Sequence, residues 1–200
     1  MSKTDGQFNL LIGVTGSVAT IKLVKLIGQF REQFERKFND ERRLEVRVVM
    51  TENAGRFFGE DEVRALGVQL DGDQDEWQSW QKIGDPILHI ELRNWAHCLL
   101  IAPLDANTLA KLANGLCDNL LTCLVRAWDL AKPLYYALAM NTHMYKHPLT
   151  DEHRQKLSTF GYREIEVIEK KLACGDTGLG AMEEVERIVE IVLSGIKRSE

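Results

Sequence analysis

Short apolar runs alternate along the chain with stretches whose apolar residues recur every three or four positions. Phe8 to Val14 is the first run, closing on Thr15-Gly16-Ser17. From Val18 the spacing turns helical, with Ile21, Val24, Ile27 and Phe30 on one side and Lys22, Lys25 and Arg31 elsewhere. Leu44 to Thr51 (LEVRVVMT) is a second, Val-rich strand, so the opening segment predicts a parallel, right-handed βαβ unit. The pattern then fades. Across Glu52 to Asp85 glycines, Gly59, Gly67, Gly72 and Gly84 among them, sit among acidic clusters, which predicts a short helix and a long mobile connection, with Trp77 and Trp80 as packing residues.

Order returns at His89 to Ala96, helical or turn-like, followed by Cys98 to Ala102, a continuous apolar strand suited to burial on both faces. Asp105 to Gly115 reads as a helix with Asp105 as N-cap and Gly115 as C-cap, and Asp118 as the cap of another through Leu120, Leu124 and Ala127. Pro133 to Ala139 is the next strand, Pro148 to Thr159 a helix with Pro at its first turn, and Tyr162 to Ile168 a further strand. Gly175 to Gly180 is a glycine-rich loop, and Glu183 to Ile196 an amphipathic closing helix on Val185, Ile188, Val189 and Val192. Strands alternating with helices predict an α/β fold with a doubly wound parallel sheet, flavodoxin-like or Rossmann-like.

The 200 residues fit one domain, 1–200, with a flap at about 172–182 and a poorly patterned connection at about 59–85. A net charge of −5, with only Arg42-Arg43 and Lys197-Arg198 as basic clusters, argues against general nucleic-acid binding. No apolar run reaches membrane-spanning length, and no signal core is visible. The four cysteines, 98, 117, 123 and 174, form no CxxC pair, so neither a disulfide scaffold nor a metal site is expected. The expectation is a cytoplasmic protein with no nucleic-acid or membrane partner.

Candidate chemistry gathers where strands end. Gly13-Val14-Thr15-Gly16-Ser17-Val18-Ala19 joins the first strand to the first helix, where backbone N–H groups can meet a phosphate. It is neither GxGxxG nor a P-loop, and Thr51 stands where a ribose-binding acid is expected, so a mononucleotide phosphate is favoured over NAD. A tight turn without ligand is the equal alternative. His89 can exchange protons near neutrality, although a lone His is more often structural. Asn107 and Thr108 follow a strand and can donate to a phosphate or ring edge, or simply form a helix's first turn. Asn141 in Ala139-Met140-Asn141 suits a carboxylate or amide, and Cys174 sits at the base of the glycine-rich flap.

Taken together, HIELRNWA, NGLCDNLLTCLVRAWD, the AMN of 139–141 and the ACGD of 173–176 resemble the phosphopantothenoylcysteine decarboxylases. These belong to a family of flavin-containing cysteine decarboxylases. The likeness runs in order from about Leu10 to Met182. It implies a flavodoxin-like homotrimer with FMN near the subunit interface and phosphopantothenoylcysteine as substrate. It assigns Gly16, Ser17, Val18, Thr51, Asp105, Ala106, Asn107, Thr108 and Ala139 to FMN. His89 and Cys174 become catalytic, and Asn141, Met144 and Ala173 contact substrate. The implied reaction oxidises the thiol-bearing carbon first, so that carbon dioxide leaves into a thiocarbonyl sink, and Cys174 supplies a proton as the product is reduced.

The chain departs from the family pattern in places. Asp105 replaces a common Ser, and an ionised carboxylate facing the flavin phosphate would repel it, whereas one turned into the helix would simply cap it. Leu138 replaces a Pro, His143 a Leu, Tyr145 a Trp and His97 an Asp. Two other readings stand beside the enzyme: a non-catalytic regulatory subunit of the phosphatase-inhibitor type, and a peptidyl-cysteine decarboxylase.

Overall fold

Strand β1 (Gln7–Val14) is buried along nearly its whole length because it lies at the middle of a sheet covered on both faces. The computed structural model describes residues 6–39, 41–171, 175 and 177–196. Six strands pair in the order β3-β2-β1-β4-β5-β6, every neighbour parallel. They are β1, β2 (Arg43–Met50), β3 (Gln69–Asp71), β4 (Cys98–Leu104), β5 (Leu134–Leu138) and β6 (Arg163–Ile165). The chain winds outward from β1 to β3, returns to β4 beside β1, and winds outward the other way. That reversal opens a crevice beyond the carboxyl ends of β1 and β4.

Alternate side chains of the sheet feed two cores. Leu10, Ile12 and Val14 face α1 (Leu23–Phe38) and α9 (Val185–Ser194), whose Phe30, Phe34, Ile188 and Val192 are buried with them. Each such aromatic or aliphatic side chain contributes about 1.5–3 kcal/mol through burial. Leu11, Leu99, Ile101 and Tyr136 face the other layer, α4 (Leu88–Trp95), α5 (Ala106–Asn114), α6 (Leu120–Arg126) and α8 (Pro148–Thr159). Gly13 belongs to this face. A Cβ on it would meet Leu121 Cδ1 at 2.8 Å, so α6 packs against bare backbone there.

The doubly wound parallel sheet expected from the pattern is present, and several elements differ from expectation. The first helix starts with a 3₁₀ turn, Val18–Lys22, before α1 proper. The supposed mobile connection contains a second 3₁₀ turn (Glu52–Arg56), α2 (Glu60–Ala65), β3 and α3 (Asp73–Ser79). Asn119, not Asp118, caps α6, its Oδ1 accepting from Thr122 N at 2.9 Å, while Asp118 pairs with Lys111 at 2.6 Å. The strand read at 162–168 splits. After β6 the chain leaves the sheet and forms β7 (Ile168–Lys171), antiparallel to β8 (Thr177–Ala181). Part of the glycine-rich loop is thus a strand, and a short α7 (Thr142–Tyr145) follows β5. Cys174 and Ala173 lie outside the described residues.

Candidate functional site

At the crevice, Thr15 ties two strand ends together. Its buried Oγ1 donates to Pro103 O at 2.9 Å and accepts from Asp105 N at 2.8 Å. Gly16 sits next to this clamp because nothing larger fits. A Cβ there would lie 2.8 Å from Asn53 Cβ and 3.4 Å from Asp105 Oδ2. Ser17 then caps the 3₁₀ turn, its Oγ accepting from Ala19 N at 3.3 Å. The strand-end residues are therefore arranged by ordinary satisfaction of backbone donors, leaving an open concave surface beside them.

That surface is a cavity of about 400 Å³ between three segments: the 3₁₀ turn, the residues after β5, and the β7–β8 hairpin. Val18, Ala19, Ala139, Met140 and Met182 make it mainly apolar, with Ser17, Asn141 and lysines at its rim. Asn141 caps α7, its Oδ1 accepting from His143 N at 2.8 Å. Gly180 closes against this loop. Met140 N donates to Gly180 O at 2.9 Å, and the backbone at Gly180 has φ +128°, where a side chain is strained. Glu184 fastens the hairpin to the 3₁₀ turn by pairing with Lys170 at 2.6 Å and Lys22 at 3.2 Å. The Lys170 hydrogen bond, then that of Lys22, holds the Glu184 carboxyl below its ordinary range.

A second cavity of about 340 Å³ lies elsewhere, walled by α3, α4 and the start of α6. His89 lines it. His89 Nδ1 lies 2.6 Å from Glu76 Oε1, and His89 N donates to Glu76 Oε2 at 3.1 Å. Cys117 and Cys123 line the same cavity. Trp77 and Trp80, expected to pack, stand 81% and 50% exposed at its mouth.

Of the residues named from sequence, the crevice brings together Ser17, Val18, Ala139 and Asn141. Gly16 and Asp105 form a crest next to Ser17, and Ala106 and Asn107 follow at the start of α5, Asn107 exposed and Asp105 partly so. Asp105 resolves towards capping, with Oδ1 accepting from Thr108 N at 2.7 Å. Thr51 and Thr108 are buried, and Met144 is exposed. His89 is not brought to Asn141 within one chain, since the two cavities share no lining residue. Sequence reading missed Glu76, Lys22, Lys170 and Glu184. A Glu immediately before Trp77, four positions before Trp80 and thirteen before His89 was the available signal for the first. Among the described residues no group of three or more His, Cys, Asp or Glu could hold a metal, and no helix is long and apolar enough to cross a membrane.

A family model described as Flavoprotein matches residues 1–197. The chain is 54% identical over 185 residues to phosphopantothenoylcysteine decarboxylase of Mus musculus, covering 92% of this chain and 85% of that one. Among solved structures it resembles a cysteine-to-serine mutant of PPC decarboxylase complexed with pantothenoylaminoethenethiol. The TM-score is 0.85 and the identity 47%, over 94% of this chain and 97% of that one. The FMN binding protein AtHal3 is similar at TM-score 0.82 and 48% identity, over 93% and 95% of the two chains.

Proposed function

The chain belongs to the Flavoprotein family, and on that premise we propose that it is an FMN-dependent decarboxylase. It converts 4′-phosphopantothenoylcysteine to 4′-phosphopantetheine, a step of coenzyme A synthesis. The observation that carries the reading is the crevice itself. In a chain alike over nearly its whole length to such decarboxylases, the switch point of the sheet holds an apolar slot flanked by Ser17 and Asn141.

The residues present fit FMN. The slot of Val18, Ala19, Ala139, Met140 and Met182 suits a flat ring system, and its volume of about 400 Å³ is within the range of small-molecule sites. Gly16 keeps the crest free of a side chain, and the Ser17 turn leads into α1, whose N-terminal side favours a phosphate. The chemistry FMN supplies when bound is two-electron storage: electrons taken from the thiol-bearing carbon before carbon dioxide leaves, and returned afterwards.

The protein's part is to hold and to move protons. Asn141, fixed by its own cap on α7 and by the Met140–Gly180 hydrogen bond, orients the substrate carboxylate with its amide. The slot's apolar walls exclude water from that end of the substrate. His89 takes the thiol proton on Nε2, and Cys174 returns a proton at carbon. A second copy of the chain supplies what one copy separates, and the assembly is a homotrimer. This reading is supported by the two cavities lying apart in one chain and by the exposed Trp77 and Trp80 beside His89. The enzyme works in the cytoplasm, in keeping with free thiols at Cys98, Cys117 and Cys123.

Purified protein tests the function directly. We expect bound flavin absorbance, and one carbon dioxide released per phosphopantetheine formed from phosphopantothenoylcysteine. A peptide ending in cysteine should be left intact. Protein that takes up no FMN, or FMN-loaded protein that releases no carbon dioxide, contradicts it.

A further inference from the structure

Glu76 belongs to the segment that sequence pattern left without structure, yet it makes two of the more specific contacts in the second cavity. One carboxylate oxygen meets His89 Nδ1 at 2.6 Å and the other accepts the His89 backbone N–H at 3.1 Å. His89 is the second residue of α4, so that N–H is one of the donors a helix leaves unpaired at its start. The N-cap, Ile87, has no side chain that can take it. Glu76 therefore caps α4 from a neighbouring helix and grips the imidazole with the same carboxylate. Its own helix is anchored too: Asp73 Oδ1 accepts from Leu120 N at 2.8 Å, tying α3 to the start of α6.

We propose that Glu76 is the positioning residue of His89: it fixes the ring's orientation and places the proton on Nδ1, so that Nε2 is the nitrogen that works on substrate. The proposal rests on the reading of His89 as the group that takes the substrate proton. A neutral imidazole has two tautomers, and a carboxylate at hydrogen-bond distance from Nδ1 selects the one with Nδ1–H. The other titratable groups on this cavity are Asp118 and Cys117 before α6 and Cys123 on α6. Asp73 on α3 stands close by. Asp118 is engaged by Lys111 at 2.6 Å, and no Lys or Arg lines the cavity among the described residues. Glu76 is the carboxylate in direct contact with the ring.

The test uses the FMN-loaded enzyme with Glu76→Gln, Glu76→Asp and His89→Asn. Glu76→Gln keeps the size and one acceptor and removes the charge. We expect kcat to fall at least about tenfold, as when an orienting carboxylate behind a catalytic His is neutralised, with KM changed less than about twofold. FMN content and melting temperature should stay near wild type. Glu76→Asp, which keeps the carboxylate, should recover part of kcat. Wild-type kcat in Glu76→Gln overturns the proposal. So does a fall in kcat with matching losses of FMN and melting temperature and no recovery in Glu76→Asp, which is what a mere helix cap would give. Normal turnover by His89→Asn removes the reading of His89, whereas an inactive His89→Asn beside a normal Glu76→Gln removes only the role of Glu76. If Glu76→Gln does not fold, nitrogen NMR of the wild-type enzyme decides. A neutral His89 ring protonated on Nδ1 agrees, and one protonated on Nε2 refutes.

Discussion

Replacing Gly180 by Ala perturbs the crevice at one point, where the hairpin meets the Asn141 loop. The backbone there has φ +128°, and a Cβ would fall 2.4 Å from Met140 O, a backbone atom that cannot rotate away. Holding a side chain in that conformation costs about 1–3 kcal/mol. The hairpin must also draw back by enough to weaken the Met140 N–H to Gly180 O bond of 2.9 Å, a loss of roughly 1 kcal/mol. The sum, about 2–4 kcal/mol, falls on docking of the hairpin rather than on the two cores. Gly178 is the control. Its Cβ would meet Thr142 Oγ1 at 2.7 Å and Cγ2 at 2.9 Å, both side-chain atoms, and its φ carries no strain. Rotating Thr142 costs about 1 kcal/mol. Carbon dioxide release and hydrogen exchange over β7 and β8 report the result. Gly180→Ala should lower kcat/KM at least tenfold, by roughly the docking loss, and expose the hairpin amides. Gly178→Ala should do so several-fold less. Wild-type turnover and protection in Gly180→Ala, or greater damage in Gly178→Ala, would refute the reasoning.

Three further outcomes follow from the same geometry. Asp105→Asn keeps an acceptor for Thr108 N and removes a charge beside Gly16, so FMN titration of the variant should show tighter binding with an unchanged melting temperature. Glu184 has its carboxyl lowered by Lys170 and Lys22, so its pairing is present above the ordinary 4.5 and is lost as pH falls through the lower folded value. Exchange of the hairpin amides should accordingly rise only below the ordinary 4.5, and Glu184→Gln should show the same opening at neutral pH. The Cys98 thiol is pushed up to about 12 by burial, and that of Cys123 is raised first by burial too. Alkylation mapped by mass spectrometry should modify exposed Cys117 before Cys123 and reach Cys98 only on unfolding.

How far the pattern of residues revealed this molecule depended on where each element obtains its stability. β1 and β4 are buried on both faces, β4 reading as an unbroken apolar run and β1 as one broken by Asn9; α1 and α9 carry apolar stripes because one side of each meets the sheet. β3 has three residues and α3 seven mostly polar ones, too short to show a period, and both are held by neighbours rather than by propensity. Trp77 and Trp80 looked like core residues because composition cannot tell a side chain buried within a chain from one left for another surface. The strand-end motifs were legible, since an α/β sheet gathers its ligand contacts there. The Glu76–His89 pair was not, because it depends on how two separate helices dock.

The account turns on His89 of one copy and Asn141 of another closing over the same FMN. Co-expressed His89→Asn and Asn141→Asp chains test this, with purified mixed oligomers assayed for carbon dioxide release against each parent. With both parents inactive, each mixed trimer should show about a third of wild-type activity, since one of its three interfaces unites both intact residues. Mixed oligomers no more active than the parents would contradict it.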